Sequence, residues 1–320
     1  MPQKKILICG GSGFIGKNLS IRLSKNKKFK IFATYHLHRP KLNIKNIKWI
    51  KCDLRILEEC LKITKNKDII IQCAATTSGS KDIINTPYVH VTDNAVMNSY
   101  LLKSCYINKI KHFIFTSCTV MYRNSKVKLN EEQVIESKIF KTYFGVAHTK
   151  LYIEKMCKFF SSISNIKFSI IRHSNIYGSF DKFDEKKGHF IGSSIKKIFD
   201  KKNENIKING SGNEKRDFLF IDDFLNLIQV IIFKQKKNYE IINCSYGRSF
   251  SIKKILKKLI RFSKKNKQIY LERRKKNINV NILIDSTKAK IKFGWTPKVN
   301  INEGLKATIK WYRENNVKFL

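Results

Sequence analysis

Ile6-Leu7-Ile8-Cys9-Gly10-Gly11-Ser12-Gly13-Phe14-Ile15-Gly16 decides the fold of this chain. The apolar run at its start predicts a buried strand, and Ile15, Leu19, Ile21 and Leu23 predict an amphipathic helix after it. Glycines at 10, 13 and 16 let the backbone turn tightly out of the strand, approach a pyrophosphate closely and pack the helix against the sheet. The helix N-terminus then faces the phosphate charge. Strand, glycine turn and helix in that order predict a dinucleotide site with contacts from Gly10, Gly13, Phe14, Ile15 and Gly16.

Outward from this unit, short apolar runs alternate with helical patterns: residues 31–34, 47–52, 69–73, 113–117 and 168–172. Such alternation predicts an α/β protein with a parallel sheet covered on both faces. The prolines at 2, 40, 87 and 297 all fall at edges or loops. After Gly178 the pattern becomes irregular, while residues 240–244 read as a strand returning to the first sheet. The expected organisation is a dinucleotide-binding domain over 1–178, rejoined by 221–245, and an interleaved substrate-binding lobe from 179–220 and 246–320. A small ligand would lie between the two.

Of the 320 residues 42% are hydrophobic, enough to bury a sizeable core, and no apolar stretch approaches the roughly 18 residues of a membrane span. The apolar run after Lys5 is too short for a signal peptide, so a soluble, cytoplasmic protein is expected. Eight cysteines without a C-x-x-C pair read as reduced core residues, and no metal site is expected. The net charge of +41 would suit a polyanionic partner, but the lysines are spread along the whole chain. In the densest block, 253–276, Ile252, Ile255, Leu256, Leu259 and Ile260 keep helical spacing, so the lysines form a solvated helix face. Nucleic acid is not the expected partner.

The spacing G-x-x-G-x-x-G resembles the extended short-chain dehydrogenase/reductase family, the NAD-dependent epimerases and dehydratases of nucleotide sugars. The resemblance implies a Rossmann-type doubly wound sheet and runs from Ile6 to Tyr312. By it, Asp53-Leu54 contacts the adenine, Cys73-Ala74-Ala75 is the small-residue strand end beside the cofactor, and Asn94 is a structural asparagine. NAD-preferring relatives carry an acid after the second strand. Here Thr34-Tyr35-His36-Leu37-His38-Arg39 has none, and Arg39 suits a 2′-phosphate, so NADP is expected over NAD.

In the family, a tyrosine four residues before a lysine moves the proton at the sugar oxygen, while the lysine lowers its pKa and holds the cofactor ribose. Lys150 matches the lysine, but Val146 stands at the tyrosine position. The nearest upstream tyrosine is Tyr143, about 10 Å away along a helix at 1.5 Å per residue, and it reaches the site only if the chain bends inward near Gly145. His148 is a second candidate. The family's serine or threonine falls on Cys118, and a thiol is a weak donor, so either a flanking hydroxyl, Ser117 or Thr119, takes its place in the site or carbonyl polarisation is impaired.

Arg172-His173-Ser174-Asn175-Ile176-Tyr177-Gly178 and Arg216-Asp217-Phe218, followed by Asp222-Asp223, resemble the family's substrate-side motifs. These imply that Asn175 contacts sugar or phosphate and Arg216 the diphosphate, unless Arg216 instead pairs with Asp222 or Asp223. The ending, Phe293-Gly294-Trp295-Thr296-Pro297 with Glu303-Gly304-Leu305 and Trp311-Tyr312, also fits. Asn281 stands where many relatives carry a phosphate-binding arginine, with Arg273 or Arg274 as replacements. The resemblance implies a homodimeric epimerase or reductase of a nucleotide sugar, nearest the GDP-fucose synthase branch and serving surface-polysaccharide synthesis. The alternative is a fold that keeps the cofactor but has lost turnover, binding nucleotide or RNA.

Overall fold

The computed structural model describes residues 2–42, 44–76, 87–185, 187–202, 204–272 and 281–315. Its strands are β1 (Lys4–Cys9), β2 (Phe29–Tyr35), β3 (Ile47–Lys51), β4 (Ile69–Gln72), β5 (His112–Cys118), β6 (Lys167–His173), β7 (Asn175–Tyr177), β8 (Asn205–Asn209), β9 (Lys215–Phe220), β10 (Tyr239–Cys244), β11 (Ser249–Ser251) and β12 (Gln268–Glu272). The helices are α1 (Phe14–Ser24), α2 (Leu57–Thr64), α3 (Thr92–Ile107), α4 (Phe144–Ser162), α5 (Phe190–Phe199), α6 (Ile221–Lys234), α7 (Ile252–Ser263), α8 (Thr287–Phe293) and α9 (Ile301–Asn315).

The main sheet is wholly parallel, in the order β10-β6-β5-β4-β1-β2-β3. Alternation along β1 sends Ile6 and Ile8 to one face, against Leu19 and Leu23 of α1 and Phe224 of α6. Leu7 and Cys9 go to the other, against Leu101 of α3 and Ile153 of α4. Burial on both faces explains why these strands are continuous runs of isoleucine, leucine and phenylalanine. Strand order reverses between β1 and β4, and a ligand crevice opens at such a switch point beyond the carboxyl ends of the strands.

Beyond that edge stand a three-stranded sheet, β11-β9-β7, and a two-stranded one, β12-β8. The crossing into the first of these comes earlier than Gly178: β7 already pairs with β9, register Tyr177 to Phe220. Its three residues are too short to read from periodicity. The lobe is not a separate body, because one apolar cluster runs from Ile6 through Phe224 to Leu256 and Tyr312. In α7, Ile252, Ile255, Leu256 and Leu259 are buried while Lys254 and Lys257 face solvent. All eight cysteines are free. Among the described residues no helix is long and apolar enough to cross a membrane, and no cluster of ligating side chains could hold a metal.

Candidate active site

The glycine turn stands at the end of β1. Gly10 adopts φ +74°, and a Cβ there would lie 2.6 Å from the Ala74 backbone; one on Gly16 would lie 2.2 Å from the Gly10 carbonyl oxygen. Only bare backbone allows this approach. Gly13 caps α1 without a side-chain hydrogen bond, which leaves the first-turn N–H groups to an anion. Phe14 and Ile15 pack against the core and anchor that turn. These residues fit a dinucleotide pyrophosphate.

A buried polar chain fixes the facing strand end. Gln72 Oε1 accepts from the Ala74 N–H (3.1 Å) and its amide donates to Asn98 (3.1 Å), which donates to the Asn94 carbonyl (2.7 Å). Asn94 exchanges two bonds with the Thr76 backbone, each 3.1 Å, and so holds the segment that carries Ala74 and Ala75. Gln72 and Asn98 went unnoticed in the sequence; a polar residue closing the run Ile69-Ile70-Ile71 was the signal.

Just past β3, Asp53 is bridged by Arg55 (2.8 Å) and approached by His36 (3.4 Å). The Arg55 guanidinium holds the Asp53 carboxyl down to about 2. Leu54 is buried in the core, so only its backbone is available to a ligand. Arg39 is exposed beyond β2. Arg55, overlooked in the sequence, adds a second cation at this end.

Near the end of β5, Lys150 is half-buried on α4, donates to the Thr116 carbonyl oxygen (3.1 Å) and lies 4.5 Å from the Phe115 ring centre. Burial lowers its pKa, while nearby Cys118, Glu154 and Cys73 act the other way. Cys118 closes β5, half-buried, and burial raises its thiol pKa, leaving a neutral weak donor. Ser117, expected beside it in the site, is instead fully buried and donates to Glu154 (2.7 Å) on the opposite face of the sheet. Alternation along β5 enforces this separation.

The helix α4 starts at Phe144, directly after Tyr143, so Gly145 makes no inward bend; a Cβ there would crowd Val91 at 2.9 Å. Tyr143 sits at the N-cap, half-buried, its ring edge-on to Phe140. The structure therefore does not bring Tyr143 and Lys150 together through a bend. His148 turns outward to Glu136 (3.7 Å) and Phe144, away from the strand ends.

Asn175 is exposed at the start of β7 and its amide donates to the Asp217 carbonyl (2.9 Å). Arg216 does not pair with either acid of its motif: Asp222 faces Arg22 (3.6 Å), and Asp223 accepts from the backbone N–H groups of Lys298 and Val299. Arg248, missed in the sequence, stacks on Phe250, the register partner of Arg216. Asp217, buried and raised to about 6 by that burial, holds the backbone of Tyr246 and Arg248. Asn281 bridges to Lys215 and its amide donates to Ser125, so no cation occupies that position. Arg273 and Arg274 lie outside the described residues.

The fold and the glycine turn define a doubly wound α/β protein of the dinucleotide-binding class. More narrowly, the chain belongs to the NAD dependent epimerase/dehydratase family, whose sequence model matches residues 6–245. It is 26% identical over 321 residues to GDP-L-colitose synthase of Yersinia pseudotuberculosis, covering 96% of this chain and 97% of that protein. UDP-glucose 4-epimerase of Thermotoga maritima shares the fold at TM-score 0.87 and 23% identity, covering 98% and 99%. UDP-glucuronic acid 4-epimerase of Bacillus cereus, solved with UDP-glucuronic acid and NAD, superposes at TM-score 0.83 and 23% identity, covering 97% and 99%.

Proposed function

We propose that the protein is an epimerase or reductase of a nucleotide-activated sugar. The observation that carries this reading is the placement of Lys150, held on the Thr116 carbonyl at the same sheet edge where the glycine turn opens. Bound NAD(P) would supply the hydride acceptor and donor. Gly10, Gly13, Gly16 and the first turn of α1 would hold its pyrophosphate, Ala74 and Ala75 would line its path, Asp53 and the Leu54 backbone would meet the adenine, and Lys150 the ribose. Asp53, the carboxylate that His36 just past β2 meets, is also tied to Arg55, which with Arg39 favours NADP.

Toward the sugar nucleotide, Arg216 and Arg248 flank Phe250 and suit a diphosphate, with Asn175 beside them. Cys118 is the candidate for contacting the sugar oxygen, while the regular start of α4 removes the bend by which Tyr143 would have reached the sugar. The relatives span GDP- and UDP-sugars, GDP-L-fucose synthase among them, and the Ser117-Cys118-Thr119 and Asn175-Ile176-Tyr177-Gly178 segments favour that branch. Exposed Tyr152 and Phe159 on α4 and Ile163 at its C-cap, with Tyr106 and Ile107 closing α3, support a homodimer built on these helices, which light scattering would test.

Purified protein incubated with NAD⁺, NADP⁺ or NADPH and a panel of GDP-, UDP-, CDP- and dTDP-sugars should convert at least one sugar, read by mass spectrometry. Dinucleotide binding with no sugar converted would overturn the enzyme reading. One observation favours that outcome: Val146 leaves no ionisable group four residues before Lys150. The second reading is then a dinucleotide-binding protein without turnover.

A further inference from the structure

His173 closes β6 on the face opposite Arg172, with Cys118 of β5 and Cys244 of β10 as its register partners. Its ring meets Phe224 of α6 edge-on, 5.2 Å between centres, and it keeps a partly exposed surface. Nδ1 lies 2.8 Å from the Ser174 carbonyl oxygen. A carbonyl can only accept, so Nδ1 carries the proton and donates it. In the neutral ring Nε2 is then an acceptor with no donor function, and it has no hydrogen-bond partner among the described residues. Burial holds the imidazole pKa down to about 4, and Lys150 of α4 and His189, just ahead of α5, act in the same direction. The thiols of Cys118 and Cys244 face it uncharged, their pKa values raised by burial. No carboxylate is among the groups that shift it, so the ring stays neutral at physiological pH.

A fixed neutral acceptor at the end of β6 calls for a ligand that brings an N–H or O–H donor. With the adenine side at β2 and β3 and the pyrophosphate at β1, a dinucleotide laid across the switch point carries its nicotinamide toward β5 and β6. The nicotinamide carboxamide offers such an N–H. We infer that His173 is a cofactor-binding residue that accepts the nicotinamide carboxamide N–H at Nε2. This rests on the dinucleotide-binding reading above and adds the residue that selects the nicotinamide end. A weak base of this kind is unsuited to abstract a sugar proton, which separates His173 from the proton carrier.

The test needs no turnover. Dissociation constants of wild type, His173→Leu and His173→Gln are measured calorimetrically for NAD⁺, NADP⁺, ADP-ribose and the 3-acetylpyridine analogue, in which methyl replaces the carboxamide NH₂. His173→Leu should weaken the dinucleotide about 3- to 10-fold, the worth of one neutral hydrogen bond, and leave ADP-ribose unchanged. Gln should restore part of the loss, and the acetylpyridine analogue should not distinguish wild type from Leu. Equal loss for ADP-ribose would mark a merely structural role and overturn the inference, as would unchanged dinucleotide affinity. If NAD⁺ and NADP⁺ affinities hold while a sugar nucleotide binds more weakly, the donor is a sugar hydroxyl and the carboxamide assignment fails. Absence of dinucleotide binding by wild type would instead sink the underlying reading.

Discussion

Removing the Arg172 guanidinium tests whether the buried ion pair behind the site holds the fold together. Arg172 and Glu154 have side chains only 4% and 3% exposed, joined at 2.6 Å. The guanidinium also donates to Tyr122 (3.0 Å) and to the Glu131 carbonyl (2.8 Å). In Arg172→Met, Glu154 keeps only the Ser117 hydroxyl, an uncompensated buried carboxylate that costs about 3–5 kcal/mol. Against a typical total of about 5–15 kcal/mol this is a large share. Urea unfolding followed by circular dichroism at pH 7.5 reads it directly. The double variant Arg172→Met/Glu154→Leu should recover most of the loss, since an apolar pair of similar volume replaces the charges. A single-variant loss under about 1 kcal/mol, or additive losses in the double, would refute this account.

Ser117→Ala removes one buried bond to a charged acceptor and should cost about 1.5–3 kcal/mol with turnover changed less than about threefold; intact stability with a hundredfold loss of turnover would return Ser117 to the reaction site. Gly304→Ala places a Cβ 2.2 Å from the Tyr177 hydroxyl and should lower stability by about 1–3 kcal/mol in thermal melts, with no change meaning the contact relaxes freely. Arg216→Gln should raise KM for the nucleotide sugar about 10- to 100-fold with little change in dinucleotide affinity, a pattern that an equal loss of both would contradict. Two imidazoles are held neutral, His112 at about 3 and His173 at about 4, each chiefly by burial. Their folded pKa values lie below the ordinary 6.5, so the unfolded chain binds more protons and stability falls as pH drops from 6.5 toward 4. At pH 5 each should cost about 2 kcal/mol, and His112→Asn should flatten its share of the slope in pH-dependent urea titrations.

The main sheet was legible because strands buried on both faces leave unbroken apolar runs, and the glycine turn because its geometry admits no side chain. β7, β9 and β11 were not, since three to six residues of mixed polarity carry no usable period. The candidate site was legible where its geometry rests on backbone, as at Gly10 and Ala74, and misread where facing decides. Ser117 and Cys118 are neighbours in sequence, yet the pleat sends Ser117 to Glu154 and leaves Cys118 beside His173. Tyr143 looked able to swing inward because Gly145 follows it, but packing against Val91 keeps α4 regular. His173 was invisible as a ligand contact because its tautomer is set by its own neighbour's carbonyl.

Distant motifs resemble those of the family together because they are mechanically joined. Asp223, from the segment after Arg216, accepts from Lys298 and Val299, while the Trp295 indole donates to its carbonyl (2.9 Å). Tyr177, from the segment that carries Asn175, lies against Gly304 on α9. The two contacts clamp the ending of the chain onto β7 and α6, so Asn175 and Arg216 are held in place by residues more than 70 positions away. Loss of either clamp should therefore act on substrate affinity through position and leave the glycine turn between β1 and α1 intact.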